Sequence, residues 1–237
     1  TSVFSLLVFM KNRKKNFYLF SFFLMTIATV LTISKAGILI LILCLLIVFI
    51  HKMIQLKKWI FLAFGSVSII VGITLLVSLS ERVSSRFTMI SKAINEVKLY
   101  DNPDSESNEA RLIMWNTSIQ LIKRSPILGA GTGDVKDVLI AKNIEMGNTG
   151  VADKKLNAHN QYLNTWVQLG VFGLISLLMF FTTLFYLAKK EKNMYLFYFG
   201  LILFLSLLTE SFLETQAGII PVGLLSFALL STRPQVD

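Results

Sequence analysis

LNTWVQLGVFGLISLLMFFTTLFYL, residues 163–187, decides the fold. It opens with polar residues at helical spacing, then runs apolar to its end without a single Asp, Glu, Lys or Arg. A helix needs about 20 such residues to cross a bilayer, within a range of roughly 17–25. Lys189, Lys190 and Lys192 follow at once, as basic residues do where a span meets the cytoplasm.

Working outward, Phe17–Ile33, Gly37–Ile50 and Trp59–Ser78 read as further spans, and so do Met194–Leu208 and Gly218–Leu230. Flanking residues and local bilayer thinning can complete the shorter ones. The composition agrees. Of the 237 residues 54% are hydrophobic and 16% charged, with 19 Phe and a mean hydropathy of +0.66. A soluble domain would carry about 25% charged residues. The net charge of +9 is not a nucleic-acid surface, because the lysines and arginines sit at the ends of apolar runs. Residues 1–10 read as the tail of a span already under way, so the chain is expected to be part of a longer protein. No cleavable signal sequence is visible.

The basic clusters set the orientation. Lys11 to Lys15, Lys52 to Lys58, Lys189 to Lys192 and Arg233 all fall on one side if each span alternates. That side is the cytoplasm by the positive-inside rule. The other side receives Ser34–Ala36, the long segment 79–162 and Thr209–Ala217. The alternative, one kinked element over 17–50, would put basic clusters on both sides. The expected architecture is therefore all-α: a polytopic helical membrane protein with a large extracytoplasmic loop. Residues 1–78 and 163–237 carry spans, the first incomplete and the last ending in a short cytoplasmic tail.

Segment 79–162 is nearly balanced in charge, which lets it be translocated. It holds turn-rich stretches, DNPDSES at 101–107 and GAGTGD at 129–134. Between them Glu109–Arg124 reads as an amphipathic helix, capped by Ser107 or Asn108 and stopped by Pro126. Leu112, Trp115, Ile119 and Ile122 recur at helical spacing. Such a helix either lies on the membrane surface or roofs a site. GAGTGD lacks the Lys-Ser/Thr ending of a phosphate loop, so a helix-terminating turn is the better reading.

Polar groups gather near the outer membrane surface. They are Lys35, Arg111, His159, Asn160, Gln168, Glu210 and Glu214. Ionisable residues at membrane depth tend to mark function. Each has a plainer alternative: His159 as an interfacial histidine, Arg111 as a surface charge laid on Trp115, Lys35 as a snorkelling lysine. Glu210 and Glu214 offer ion-pair partners to Lys35 or Arg111. Two distant histidines and one cysteine, Cys44, do not make a metal site.

Four stretches resemble the O-antigen ligase and polymerase superfamily of bacterial envelope glycosyltransferases. LTISKAGILILI at 31–42 is similar to a Ser-Arg-Gly element opening a span. EARLIMWNTSIQLIKRSPILGAGTGD at 109–134 is similar to an Arg-x-x-x-Trp helix followed by Pro-x-x-Gly-x-Gly. NAHNQYLNTWVQLGVFGL at 157–174 is similar to a His-Asn-x-Tyr-Leu element, and TESFLET at 209–215 adds a weaker acidic match. Lys35 stands where the family usually has Arg, and Gln168 where many members have Glu.

The resemblance implies transfer of a glycan from an undecaprenyl-diphosphate carrier to an acceptor hydroxyl, at the outer face of the inner membrane. It implies catalytic roles for His159, Arg111 and Lys35, with Asn160, Trp115, Tyr162 and Glu210 binding substrate. No cofactor is expected. The expected partners are the lipid-linked glycan donor, a glycan, lipid or protein acceptor and membrane lipids, with no nucleic acid. A transporter or channel, or a sensory membrane protein, is the competing class. Transporters favour broken helices with mid-span charges and repeated halves, and the sequence shows neither mid-span charge nor repeat.

Overall fold

Six apolar helices and three polar ones account for most of the residues that the computed structural model describes, which are 2–11, 16–31, 35–57 and 108–231. The expected span Trp59–Ser78, the turn at 32–34, the stretch 101–107 and the cluster at 12–15 lie outside the described residues.

The apolar set is α1 (Ser2–Lys11), α2 (Asn16–Leu31), α3 (Lys35–Gln55), α7 (Gln161–Lys190), α8 (Met194–Ser206) and α9 (Gln216–Ser231). Between α3 and α7 come α4 (Asn108–Arg124), α5 (Val135–Glu145) and α6 (Thr149–Asp153). No strand occurs among the described residues. Two helices, Ala36–Gln55 within α3 and Gln161–Lys190, are long and apolar enough to cross a membrane. α3 outruns the expected Gly37–Ile50 at both ends, because Lys35 and the stretch from His51 to Gln55 continue its helical turns.

The apolar helices turn large side chains outward. Phe17 is 72% exposed, Phe172 62% and Phe227 72%. Burying such a side chain away from water is worth about 1.5–3 kcal/mol, so these faces suit lipid. Inside the bundle, Phe181, Leu184, Leu196, Phe199 and Leu203 lock α7 against α8. Val3, Leu7, Cys44, Val48 and Tyr198 lock α1 and α3 onto the other side of α8.

The bundle has two distinct ends. Asn193 caps α8 through Leu196 N (3.1 Å) and ties it to Leu229 O of α9 (2.9 Å). His51 and Lys52 of α3 share a cavity wall with Lys192 and Asn193, at this basic end. At the opposite end the start of α3, at Gly37, shares a wall with Ser206 of α8.

The polar helices form a cap on the first turns of α7. Met114, Ile122, Val135, Leu139, Val151 and Val167 make its core. The sequence predicts one helix here; the described part of the segment carries three. The buried face of α4 also differs from the expected one. Ala110, Met114, Thr117, Ser118 and Ile122 point inward, while Ile119 is exposed. Thr117 and Ser118 tolerate burial because their hydroxyls are satisfied, by Asn143 Oδ1 (2.8 Å) and Met114 O (2.7 Å).

α7 is broken once. Gly170 has φ 65° and ψ −160°, far from helical values. The turn after α4 docks into the break. Ala130 N donates to Val167 O (2.7 Å), Gly131 N to Gln168 O (2.9 Å) and Val171 N to Pro126 O (3.0 Å). Trp166 Nε1 adds a bond to Pro126 O at 3.0 Å. GAGTGD thus does more than end a helix: with Pro126 it supplies partners for backbone groups of α7 on both sides of the break. Beyond the break, Val171–Lys190 measures about 30 Å at roughly 1.5 Å per residue, matching a hydrocarbon core of about 30 Å.

Candidate functional site

Glu210 is the hub of the polar end. It lies just past α8, and its carboxylate faces two elements. Oε1 accepts from Arg111 of α4 at 2.6 Å, and Oε2 lies 3.3 Å from His159 Nδ1. Hydrogen bonding to His159 holds the Glu210 carboxyl below the usual carboxylate range, against the opposing effect of burial, with His159 and Arg111 adding charge attraction. Three residues far apart in the chain, 111, 159 and 210, therefore meet on one carboxylate.

The turn carrying His159 is built for this. His159 has φ 45°, a left-handed conformation that is uncommon for a residue with a Cβ, though His adopts it more readily than most. Its amide donates to Asn157 Oδ1 (2.9 Å). Asn160 then fixes the turn from the other side. Its Oδ1 caps α7 at Leu163 N (3.1 Å), its Nδ2 donates to Leu208 O (3.1 Å) and its amide donates to Ser211 Oγ (3.1 Å). Gln161 N donates to Leu207 O (2.8 Å), and Gln161 Oε1 accepts from Leu213 N (3.0 Å). The end of α8 and the short 3₁₀ turn Phe212–Glu214 are thereby bolted to the start of α7.

Several buried polar atoms have no hydrogen-bond partner among the described residues: His159 Nε2, Arg111 Nε and Trp115 Nε1. In the neutral tautomer whose Nδ1–H faces Glu210, Nε2 presents a lone pair. Arg111 has donors to spare beyond the one given to Glu210, as an anion site requires. Unmet buried donors and acceptors are costly in a resting protein.

The other sequence-chosen residues fall into two groups. Trp115 sits one turn after Arg111 on α4. Asn160 and Tyr162 face neighbouring backbone instead: the Tyr162 hydroxyl donates to Phe204 O (2.9 Å) and its ring packs against Phe181 and Phe204. The backbone of Lys35 begins α3 at the same end of the bundle as Glu210, while its side chain lies outside the described residues. Sequence reasoning passed over Asn157, Gln161 and Ser211. Asn157 sits two residues before His159, the spacing at which an Asn side chain bonds its own turn, which was the signal available.

Outward apolar faces, two helices long and apolar enough to cross a bilayer and an ion-paired cluster at one end fit a membrane protein. A family model described as O-antigen ligase matches residues 20–178, and the chain belongs to that family. An uncharacterized protein of Haemophilus influenzae is 33% identical over 155 residues, covering 61% of this chain. The chain spans 36% of the length of that relative.

Proposed function

We infer that the chain is part of a polytopic inner-membrane glycosyltransferase. It moves a glycan from an undecaprenyl-diphosphate carrier to an acceptor hydroxyl at the outer face, as a ligase or a polymerase. The observation that carries this reading is the shared Glu210 carboxylate, which orients His159 and fixes Arg111 beside it. The separation of ends supports the topology: Lys52 and Lys192 wall a cavity at one end, and His159, Arg111 and Glu210 meet at the other. The cap formed by α4, α5 and α6 then belongs to the extracytoplasmic segment.

In this mechanism His159 Nε2 takes the proton of the acceptor hydroxyl. The oxygen attacks the anomeric carbon, and the bond from that carbon to the diphosphate oxygen breaks. The leaving lipid diphosphate gains negative charge, which Arg111 and Lys35 stabilise. Base assistance of this kind is worth about 10²–10⁴ in rate. Glu210 holds the imidazole tautomer and meets the imidazolium that forms. Trp115 offers a face to a sugar ring, and Asn160 and Tyr162 position the turn.

The test is transfer by the full-length protein, supplied with lipid-diphosphate-linked glycan and candidate acceptors and read by mass spectrometry. Product from wild type and a loss of at least about 10² in rate with His159→Ala is the expected result, and the productive acceptor separates ligase from polymerase. Normal transfer by His159→Ala would remove the base assignment. No product from folded wild type with any acceptor would remove the transferase reading.

A further inference from the structure

A polar cavity, partly open to solvent, lies beside the histidine turn. It holds about 490 Å³, and Thr132, Lys136, Asn157, Gln168, Ser211 and Glu214 are among its walls. Small-ligand sites run to about 300–1,000 Å³. Two of these residues tie the cavity wall to the histidine turn. Asn157 Oδ1 holds the His159 amide, and Ser211, next to Glu210 in the chain, holds the Asn160 amide.

Its chemistry differs from that of the cluster. Glu210 is paired on both oxygens. Glu214 Oε1, by contrast, is buried and has no hydrogen-bond partner among the described residues. Burial pushes the Glu214 carboxyl above the usual range, and Lys136 offsets this only in part. A buried acceptor left unmet costs free energy; Glu214 is part of the cavity wall, and a turn of its side chain would bring the covered Oε1 to a donor in the space. The walls offer carboxylate, carboxamide, ammonium and hydroxyl groups, which both donate and accept. That inventory matches a ligand dense in hydroxyls. It does not match a diphosphate, which the Glu214 carboxylate would repel.

We propose that this cavity is a glycan subsite, in which Glu214 and Gln168 hold hydroxyls of the sugar beside the bond being formed. The hydroxyls belong either to the donor's sugar or to the terminal sugar of the acceptor. Only the naming of the ligand rests on the glycan-transfer reading; the cavity and its unmet carboxylate stand without it. Glu214 binds and does not exchange protons with the reacting atoms, so its loss affects sugar binding more than turnover.

The experiment uses the full-length protein in nanodiscs. Glycans released by mild acid from the host's lipid-diphosphate pool, and the sugar portion of the acceptor, serve as probes in saturation-transfer NMR. Transfer kinetics are measured with each lipid-linked substrate. Glu214→Gln keeps the shape of the side chain, and Thr132→Trp fills the cavity from an exposed loop position. Both variants are expected to weaken binding of one probe about tenfold and to raise KM for the same substrate by a similar factor, with kcat little changed. The substrate affected identifies the source of the sugar. Wild-type binding and wild-type KM for both substrates in both variants would overturn the subsite, even if the protein transfers glycan. Probe binding lost in the variants, in a protein that transfers nothing, would keep the subsite and remove the transferase. A wild type that binds neither probe would overturn the subsite.

Discussion

Replacing Gly170 with Ala attacks the joint between the cap and the membrane bundle. A Cβ at Gly170 would fall on the Ile127 carbonyl, and Gly129, facing it, has equally little room against Gln168 and Gly170 backbone. With φ 65° and ψ −160°, position 170 lies in a region essentially restricted to glycine, so a side chain there costs about 1–3 kcal/mol in strain. The clash also pushes out the docked turn. Its four hydrogen bonds are worth about 0.5–1.5 kcal/mol each, or about 2–6 kcal/mol together. The total, about 3–9 kcal/mol, approaches the whole stability of an ordinary domain, about 5–15 kcal/mol. The expected outcome is local release of residues 126–131. Hydrogen exchange in detergent micelles reads it directly. The amides of Ala130, Gly131 and Val171 should exchange at least about 100-fold faster, since about 1.4 kcal/mol is tenfold. Gly133→Ala is the control, because nothing lies within 4 Å of a Cβ there. Unchanged protection at those three amides in Gly170→Ala would refute the account of the break.

The remaining predictions concern charge, capping and topology. The Glu214 carboxyl is raised above its ordinary value of 4.5, so its folded form favours the proton and stability falls as pH rises from that value through the raised one. Glu214→Gln should therefore unfold at a higher temperature than wild type at pH 7 and lose that advantage near pH 4; an equal offset at both pH values would contradict this. The Glu210 carboxyl is lowered, so its contribution is present above the ordinary value and disappears as pH falls through the lowered one, and Glu210→Gln should destabilise at neutral pH and not in strong acid. Asn160→Ala removes the α7 cap, a loss of about 0.5–2 kcal/mol, and Asn160→Ser should recover part of it in chemical unfolding; no recovery would argue against the cap. In a Cys44→Ser background, Asp153→Cys should react with an impermeant thiol reagent applied outside and Ile54→Cys should not, and the reverse labelling would overturn the orientation.

What could be read from the sequence follows from which forces act locally. Spans show as long apolar runs, and helices were found at Phe17–Ile33, Leu163–Leu187, Met194–Leu208 and Gly218–Leu230 to within a few residues. α4 announced itself through Glu109, Pro126 and its basic last turn. α5 did not, because its buried face is only Val135, Leu139 and Asn143, too few and too polar for a hydrophobic period. The inward face of α4 was misread for a related reason: Thr117 and Ser118 are apolar in effect once their hydroxyls are bonded. The break at Gly170 was hidden inside an apolar run, since what stabilises it is a turn some forty residues earlier. For the site, His159, Arg111 and Glu210 were all chosen as polar residues expected near the outer membrane surface. That one carboxylate serves the other two is a fact of tertiary geometry and left no mark in spacing. Glu214 was seen only as a possible ion-pair partner, because an unmet oxygen is visible only once its surroundings are known.

The docked turn at 126–131 also constrains the order of assembly. Buried backbone groups need partners, and the break at Gly170 leaves the Val171 amide and the Val167 and Gln168 carbonyls to be paired by a segment earlier in the chain. That segment has to be in place before the first turns of α7 can take their final shape. Completion of α7 and closure of the cap are then one event, and a fragment that begins after residue 131 would carry every residue of α7 and still lack the partner that gives it its shape.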